Sequence, residues 1–363
     1  MERRVLLKGI GAVAATIAAP AIVRAQAVPT LVGAVQFGDA HPFTQGLLKF
    51  EERVKALYNK PVNFTLHKDS SLGLEKQYFE YMAQGKNVDY AIVSPAHMST
   101  FAKAAPFIDA PFVFRDFPHM EAVVNKGLLN PIADEIEKKA GVRLIGYGGG
   151  GVRNLFANKP LKNVAEIKGL KVRVQGAPIW SRSFAAIGMS PTVIAYNEIY
   201  NAIQNNVISA AENEAAGIEQ MKFFEVAPNI LMTQHAVSVR PICFSMKTMA
   251  TLPKELQDAV IQAGKEAADY ERKIESSGDS EILARLEAAG RLKRIPFEDR
   301  PTMQKLAEPK STPAASRPPS PAPEPLSPDP ADPGRSCAQG FVFVRGTLSW
   351  MPLCLAGPAC GGV

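Results

Sequence analysis

Two arginines and one asparagine stand out because they interrupt segments that otherwise read as apolar strands. Across residues 169–174, strand alternation places Leu170, Val172 and Val174 on one face and Arg173 on the other. Arg153 sits similarly within residues 152–156, and Asn213 follows the apolar stretch 207–211. A guanidinium fork matches a carboxylate bidentately, and an amide can donate to the same oxygens. Ligands of α/β folds meet the carboxyl ends of strands, where Asn213 would lie. Either arginine alone reads as a solvated strand residue. The combination of the three needs a further explanation.

Catalytic signatures are mostly absent. The five histidines, His41, His67, His97, His119 and His235, show no zinc-hydrolase spacing. There is neither a nucleophile elbow nor a phosphate loop ending in Gly-Lys-Ser/Thr. Residues 146–151 formally satisfy GxGxxG after a strand. In a dinucleotide fold that loop opens a helix, whereas here the alternating residues 152–156 follow. The glycine run therefore reads as a flexible turn between lobes. Cys243, between Ile242 and Phe244, reads as a buried small hydrophobe, and no Cys–His spacing suggests a metal. Neither a catalytic residue nor a cofactor is expected.

The elements that must hold the arginines are α/β in pattern. Residues 30–37, 61–66 and 88–93 read as strands separated by helices at 41–57 and 74–84, the second ended by Gly85. Strand–helix–strand order of this kind builds βαβ units. A second block follows, with strands at 142–147, 153–157, 169–175 and 207–211, and helices at 178–188 and 198–204, Asn197 capping the last. Leu256, Val260, Ala263, Ala267, Tyr270 and Ile274 share one face of a long helical region. It continues past Ser276-Ser277-Gly278 to a cap at Gly290, before a last strand at 292–297.

The 363 residues, 46% apolar and 21% charged, are enough for two domains with real cores. Basic residues at Arg3, Arg4 and Lys8, an apolar run from 9 to 23 and Ala25-Gln26-Ala27 form a secretory signal peptide cleaved near Ala27. The Arg3-Arg4 start resembles a twin-arginine signal, and the export implied is periplasmic. Removing the leader lowers the net charge from +6 to +3, so basicity gives no argument for nucleic acid. Twelve of the 29 prolines, with Cys337, Cys354 and Cys360, fall after residue 308. Residues 307–363 read as a disordered tail whose text resembles translation in a shifted frame, the alternative being a genuine extension.

The longer pattern resembles the DctP family, the substrate-binding proteins of tripartite ATP-independent periplasmic (TRAP) transporters. The resemblance rests on Leu72-Gly73 with Glu75, on residues 88–95, and on the stretch from Arg153-Asn154-Leu155-Phe156 through residues 167–174. It continues through Tyr196-Asn197-Glu198-Ile199-Tyr200 to Ala211-Glu212-Asn213. It implies an α/β, type II-like, two-lobe periplasmic binding fold with a long connecting helix and a ligand cleft between the lobes. Residues 28–150 and about 239–275 would form lobe 1, with 151–238 and about 276–306 forming lobe 2.

By the same resemblance Arg173 pairs with a ligand carboxylate, Arg153 is a second cationic contact, Asn213 bonds the same carboxylate and Tyr196 forms an aromatic wall. Glu75, Ser94 and Glu214, together with Asp39 and His41, are further candidates. Glu214 stands where the family commonly has proline, and would favour a polar or amine-bearing acid or a bound cation. The partners implied are a small organic acid and the membrane subunits of a TRAP permease, with the protein a monomer. Two alternatives are a periplasmic α/β enzyme on the same fold and a non-functional product of a disrupted gene.

Overall fold

The computed structural model describes residues 28–308, together with two short strands at 342–344 and 347–349. The signal-peptide reading and most of the tail therefore lie outside the described residues. The first part of the chain runs β1 (Thr30–Ala34), α1 (Pro42–Tyr58), β2 (Asn63–His67), α2 (Glu75–Gln84), β3 (Tyr90–Ile92), α3 (Phe117–Asn125) and α4 (Asn130–Ala140). A 16-residue strand, β4 (Val142–Ala157), follows. After it come β5 (Lys171–Val174), α5 (Pro178–Ile187), β6 (Ser190–Val193), α6 (Ile199–Gln204), β7 (Ala210–Asn213) and α7 (Ala215–Gln220). The 17-residue β8 (Asn229–Ser245), α8 (Met246–Met249), the 35-residue α9 (Lys254–Ala288), β9 (Lys293–Ile295) and α10 (Arg300–Ala307) complete the body. Val342–Val344 (β10) and Thr347–Ser349 (β11) pair antiparallel with each other. Among the described residues no helix is long and apolar enough to cross a membrane.

One sheet with strand order β2-β1-β3-β8-β4-β7-β5-β6, and β9 on β8, carries the body. Parallel pairs at its two ends (β1 with β2 and β3, β5 with β6 and β7) are spliced by the antiparallel β4–β8 pair. Strand β3 pairs with residues 242–244 of β8, whereas β7 pairs with residues 154–157 of β4. The splice is therefore diagonal, and each half of the sheet has its own faces to cover. In the first half Phe43, Phe50, Tyr90 and Leu256 pack on one face, and Phe79, Met82, Ile136 and Cys243 on the other. In the second, Trp180, Phe184, Val172 and Met303 oppose Phe156, Ile199, Phe223 and Leu286. Burying each such side chain contributes roughly 1.5–3 kcal/mol, so each half has a core of its own. The result is the two-lobe α/β arrangement expected.

The glycine run departs from expectation. Residues 146–151 are not a turn but the middle of β4, bulged where Gly149 and Gly150 take φ values of 103° and 111°. Their lack of side chains serves a helix contact. A Cβ on Gly146 would stand 2.2 Å from the Gly264 carbonyl oxygen, and one on Gly148 2.3 Å from the Glu271 carboxylate. Helix α9 thus lies directly on the backbone of the crossing strand.

Other boundaries also shift. The strand expected at 207–211 begins at Ala210, and Tyr196–Glu198 form a 3₁₀ turn before α6, with no side-chain cap from Asn197. Helix α9 runs unbroken through Ser276 and Ser277, whose hydroxyls donate to the carbonyls of Arg272 and Lys273. Helix α10 ends at Ala307, immediately before the proline-rich text.

Candidate ligand-binding site

The strand ends of both halves converge on one cleft. Arg153, Arg173, Tyr196, Asn213, Glu214, Glu75 and Ser94, all singled out in the sequence, line it together. Arg153 comes from β4 and Asn213 from the end of β7, brought side by side by the register that pairs Asn154 with Asn213. Arg173 comes from β5, whose alternation buries Val172 and Val174 in the core and turns the arginine to the cleft. Glu75 opens α2, and its carboxylate accepts from the Ser94 backbone N–H at 2.6 Å. His41 instead caps α1 and stacks on Phe37, while Asp39 pairs with Lys68 on the surface. Neither lines the cleft.

The three arginines of the cleft differ in how their charge is met. Arg153 donates from Nε to Glu212 at 2.6 Å and from Nη2 to the same carboxylate at 3.0 Å, while Nη1 pairs with Glu214. Arg240 donates to Asp109 at 2.8 Å. Arg173, only 3% exposed, donates from Nε to the Ile194 carbonyl at 3.0 Å and has no carboxylate partner among the described residues. Its guanidinium lies 5.6 Å from the Tyr196 ring centroid, and Asn213 donates to the Tyr196 hydroxyl at 2.6 Å. Gly217 makes room for that pair, since a Cβ there would strike the Asn213 amide at 2.2 Å.

Burial and pairing set the protonation states. Burial lowers Arg173 to about 10, which leaves it charged at neutral pH. Burial also opposes the charges of Arg153 and Glu212, but their mutual attraction wins. It raises the arginine and, with His235 bonding, holds the carboxyl at about 2. Desolvation, with Arg173 nearby, lowers His97 to about 3, so its imidazole is neutral. Glu75 and Asp109 are raised by burial. Glu214, read from the sequence as a contact for an amine or cation, already pairs with Arg153. Among the described residues no group of three or more His, Cys, Asp or Glu is arranged to hold a metal ion.

Six further residues belong to the cleft: the polar Gln36, His97, Gln175 and Arg240, and the aromatic Phe37 and Phe43. Arg240 carries the signal that singled out the other two arginines, a charge inside the apolar run 236–244. Gln175 is two residues beyond Arg173, hence on the same face. The cleft encloses about 30 Å³, room for a water or two. A larger groove of about 870 Å³ opens on the first half beside α4 and α9. Its Arg143 is already bound to Glu137 at 2.6 Å, and it holds none of the convergent buried groups of the cleft.

Two α/β halves closing on a buried, arginine-lined cleft define a two-lobed solute-binding protein. The family model described as bacterial extracellular solute-binding protein, family 7, DctP, matches residues 33–313. The chain belongs to that family. It is 45% identical over 285 residues to a solute-binding protein of Sulfitobacter sp. (strain NAS-14.1), covering 78% of this chain and 86% of the relative. Among solved structures it is similar to a TRAP periplasmic solute-binding protein from Sulfitobacter sp. NAS-14.1 with bound α-D-taluronate. That likeness has 44% identity and a TM-score of 0.76, over 78% of this chain and 92% of the other. A second, from Roseobacter denitrificans with bound L-galactonate, shows 28% identity and a TM-score of 0.72 over 77% and 91%. These relatives are substrate-binding proteins rather than enzymes.

Proposed function

We propose that this protein captures a sugar acid, a uronate or an aldonate, in the periplasm and delivers it to the membrane subunits of a TRAP permease. The observation that carries the reading is the charge of Arg173, a buried guanidinium facing the cleft whose hydrogen-bond partner among the described residues is a carbonyl rather than a carboxylate. A ligand carboxylate would complete it bidentately, while Tyr196 and Asn213 flank the pair. The uronate and aldonate bound in the similar solved structures support the ligand class. One charge-assisted contact contributes about 1.5–3 kcal/mol, whereas micromolar affinity needs about 8. Hydroxyl contacts and exclusion of water on closure must supply the rest.

Calorimetric titration with D-taluronate, D-galacturonate and L-galactonate tests the reading. At least one is expected to bind at micromolar Kd or tighter, without turnover. Arg173→Ala is expected to weaken that ligand by about 2–5 kcal/mol. Equal affinity in Arg173→Ala would overturn the carboxylate assignment, and failure of every sugar acid to bind would overturn the ligand class.

A further inference from the structure

Arg173 accounts for a carboxylate and leaves open what reads the rest of the ligand. Gln175 follows one residue past the end of β5, two positions after Arg173, about 6.6 Å further along at ordinary strand rise. That spacing is comparable with the reach from the carboxylate of a six-carbon sugar acid to its far hydroxyls. Gln175 is buried, and its side chain is half satisfied. Oε1 accepts from Ser94 Oγ at 2.7 Å, while Nε2 is buried with no partner among the described residues. Either way round, the amide has one end held by Ser94 and the other available to a hydroxyl, which donates and accepts equally well.

The support behind Gln175 is a relay. Ser94 also lies 3.3 Å from Asp109, which binds Arg240 at 2.8 Å, and Arg240 lines the cleft with its Nε buried and unpartnered. A buried donor left unpaired is costly, and a ligand that satisfies it is selected over one that cannot. We propose that Gln175, positioned by the Ser94–Asp109–Arg240 relay, is the specificity-determining residue that reads the ligand's hydroxyls and restricts the site to polyhydroxylated acids. The inference rests on the sugar-acid reading above.

The test compares D-galacturonate with tetrahydropyran-2-carboxylate, a ring acid without hydroxyls, each titrated into wild type and Gln175→Met. Galacturonate is expected to weaken about 10–100-fold in the variant, while the hydroxyl-free acid changes less than about 2-fold. Ser94→Ala, which frees the amide without removing it, should move the same ratio in the same direction by a smaller factor. An equal loss for both acids, or no loss for either, would sink the role of Gln175. The parent reading fails differently: Arg173→Ala would then leave galacturonate binding intact, whatever Gln175→Met does.

Discussion

Arg153 and Arg173 are twenty positions apart in the chain and share one cleft, yet their surroundings assign them different duties. Arg153 is held by two buried carboxylates, so removing it leaves Glu212 and Glu214 without the cation that binds them directly. Breaking a buried pair from one side costs about 3–5 kcal/mol, and Arg153→Met should lower urea-unfolding stability by that order. Arg173→Ala should move the unfolding midpoint far less, because among the described residues no carboxylate is paired with it. Equal midpoints for Arg153→Met and wild type would show that the network does not hold the fold. The cleft residues were legible in the sequence wherever a charge interrupts an apolar strand, and the same signal extends to Arg240. Which arginine was already neutralised was not legible. That depends on the β4–β7 register bringing Glu212 beside Arg153, a contact between residues 59 positions apart.

Local periodicity and caps specify the short elements well. Gly85 in the left-handed region ends α2, and His41-Pro42 begins α1. The long crossing elements are another matter, because β4 and β8 owe their continuity to each other and to α9. Where α9 lies on the glycine run, it aligns three acids at successive turns, Glu271 and Glu275 buried and Asp279 half-buried. Glu271 accepts from Gly149 N–H, Asp279 from Val152 and Ala215 N–H, and Glu275 between them has no hydrogen-bond partner for either oxygen among the described residues. Facing them are Glu214 from the β7–α7 junction, Arg153 from β4 and Arg240 from β8. Burial raises Glu271 and Asp279 to about 7 and Glu275 well above its ordinary value, with Glu271 adding repulsion.

Raised carboxyl groups retain protons in the folded chain that the unfolded chain releases above about pH 4–5. Their stabilising contribution is full at lower pH and is lost as pH rises toward 7. His41 and His97, both lowered to about 3 chiefly by burial, act in the opposite sense, and their contribution is lost as pH falls below 6.5. Replacing one helix acid isolates the first effect. Glu275→Gln should raise Tm at pH 8 by at least about 2–4 °C, the shift expected for one kcal/mol, and change it little at pH 5. A loss of Tm at pH 8 as large as any at pH 5 would mean that Glu275 supports the helix in its charged form.

For the whole molecule, the half-sheets on either side of the β4–β8 splice determine how a ligand can reach Arg173. The cleft encloses only about 30 Å³, and Arg153, Arg173 and Asn213 are all nearly inaccessible. A six-carbon acid cannot enter that geometry, so the halves must part to admit it. Contacts between the halves include Ser94 after β3 with Gln175 after β5, Phe37 edge-on to Tyr196 at 5.8 Å, and the Phe112 N–H donating to the His235 carbonyl at 2.7 Å. The two cores also touch across the cleft: Tyr196 and Met221 pack against the first-half core, and Ala96 and Phe112 against that of the second, so parting must break these contacts as well. This predicts an open, ligand-free population that closes on binding. Small-angle X-ray scattering of residues 28–363 should show the radius of gyration falling when a binding sugar acid is added to saturation. In Arg173→Ala the same concentration should leave it unchanged. Deleting residues 309–363 should preserve the ligand-induced fall, because every cleft contact described lies between residues 28 and 308. A radius that is already minimal without ligand, and insensitive to it, would mean that the acid enters by side-chain rearrangement within a closed cleft rather than by movement of the halves.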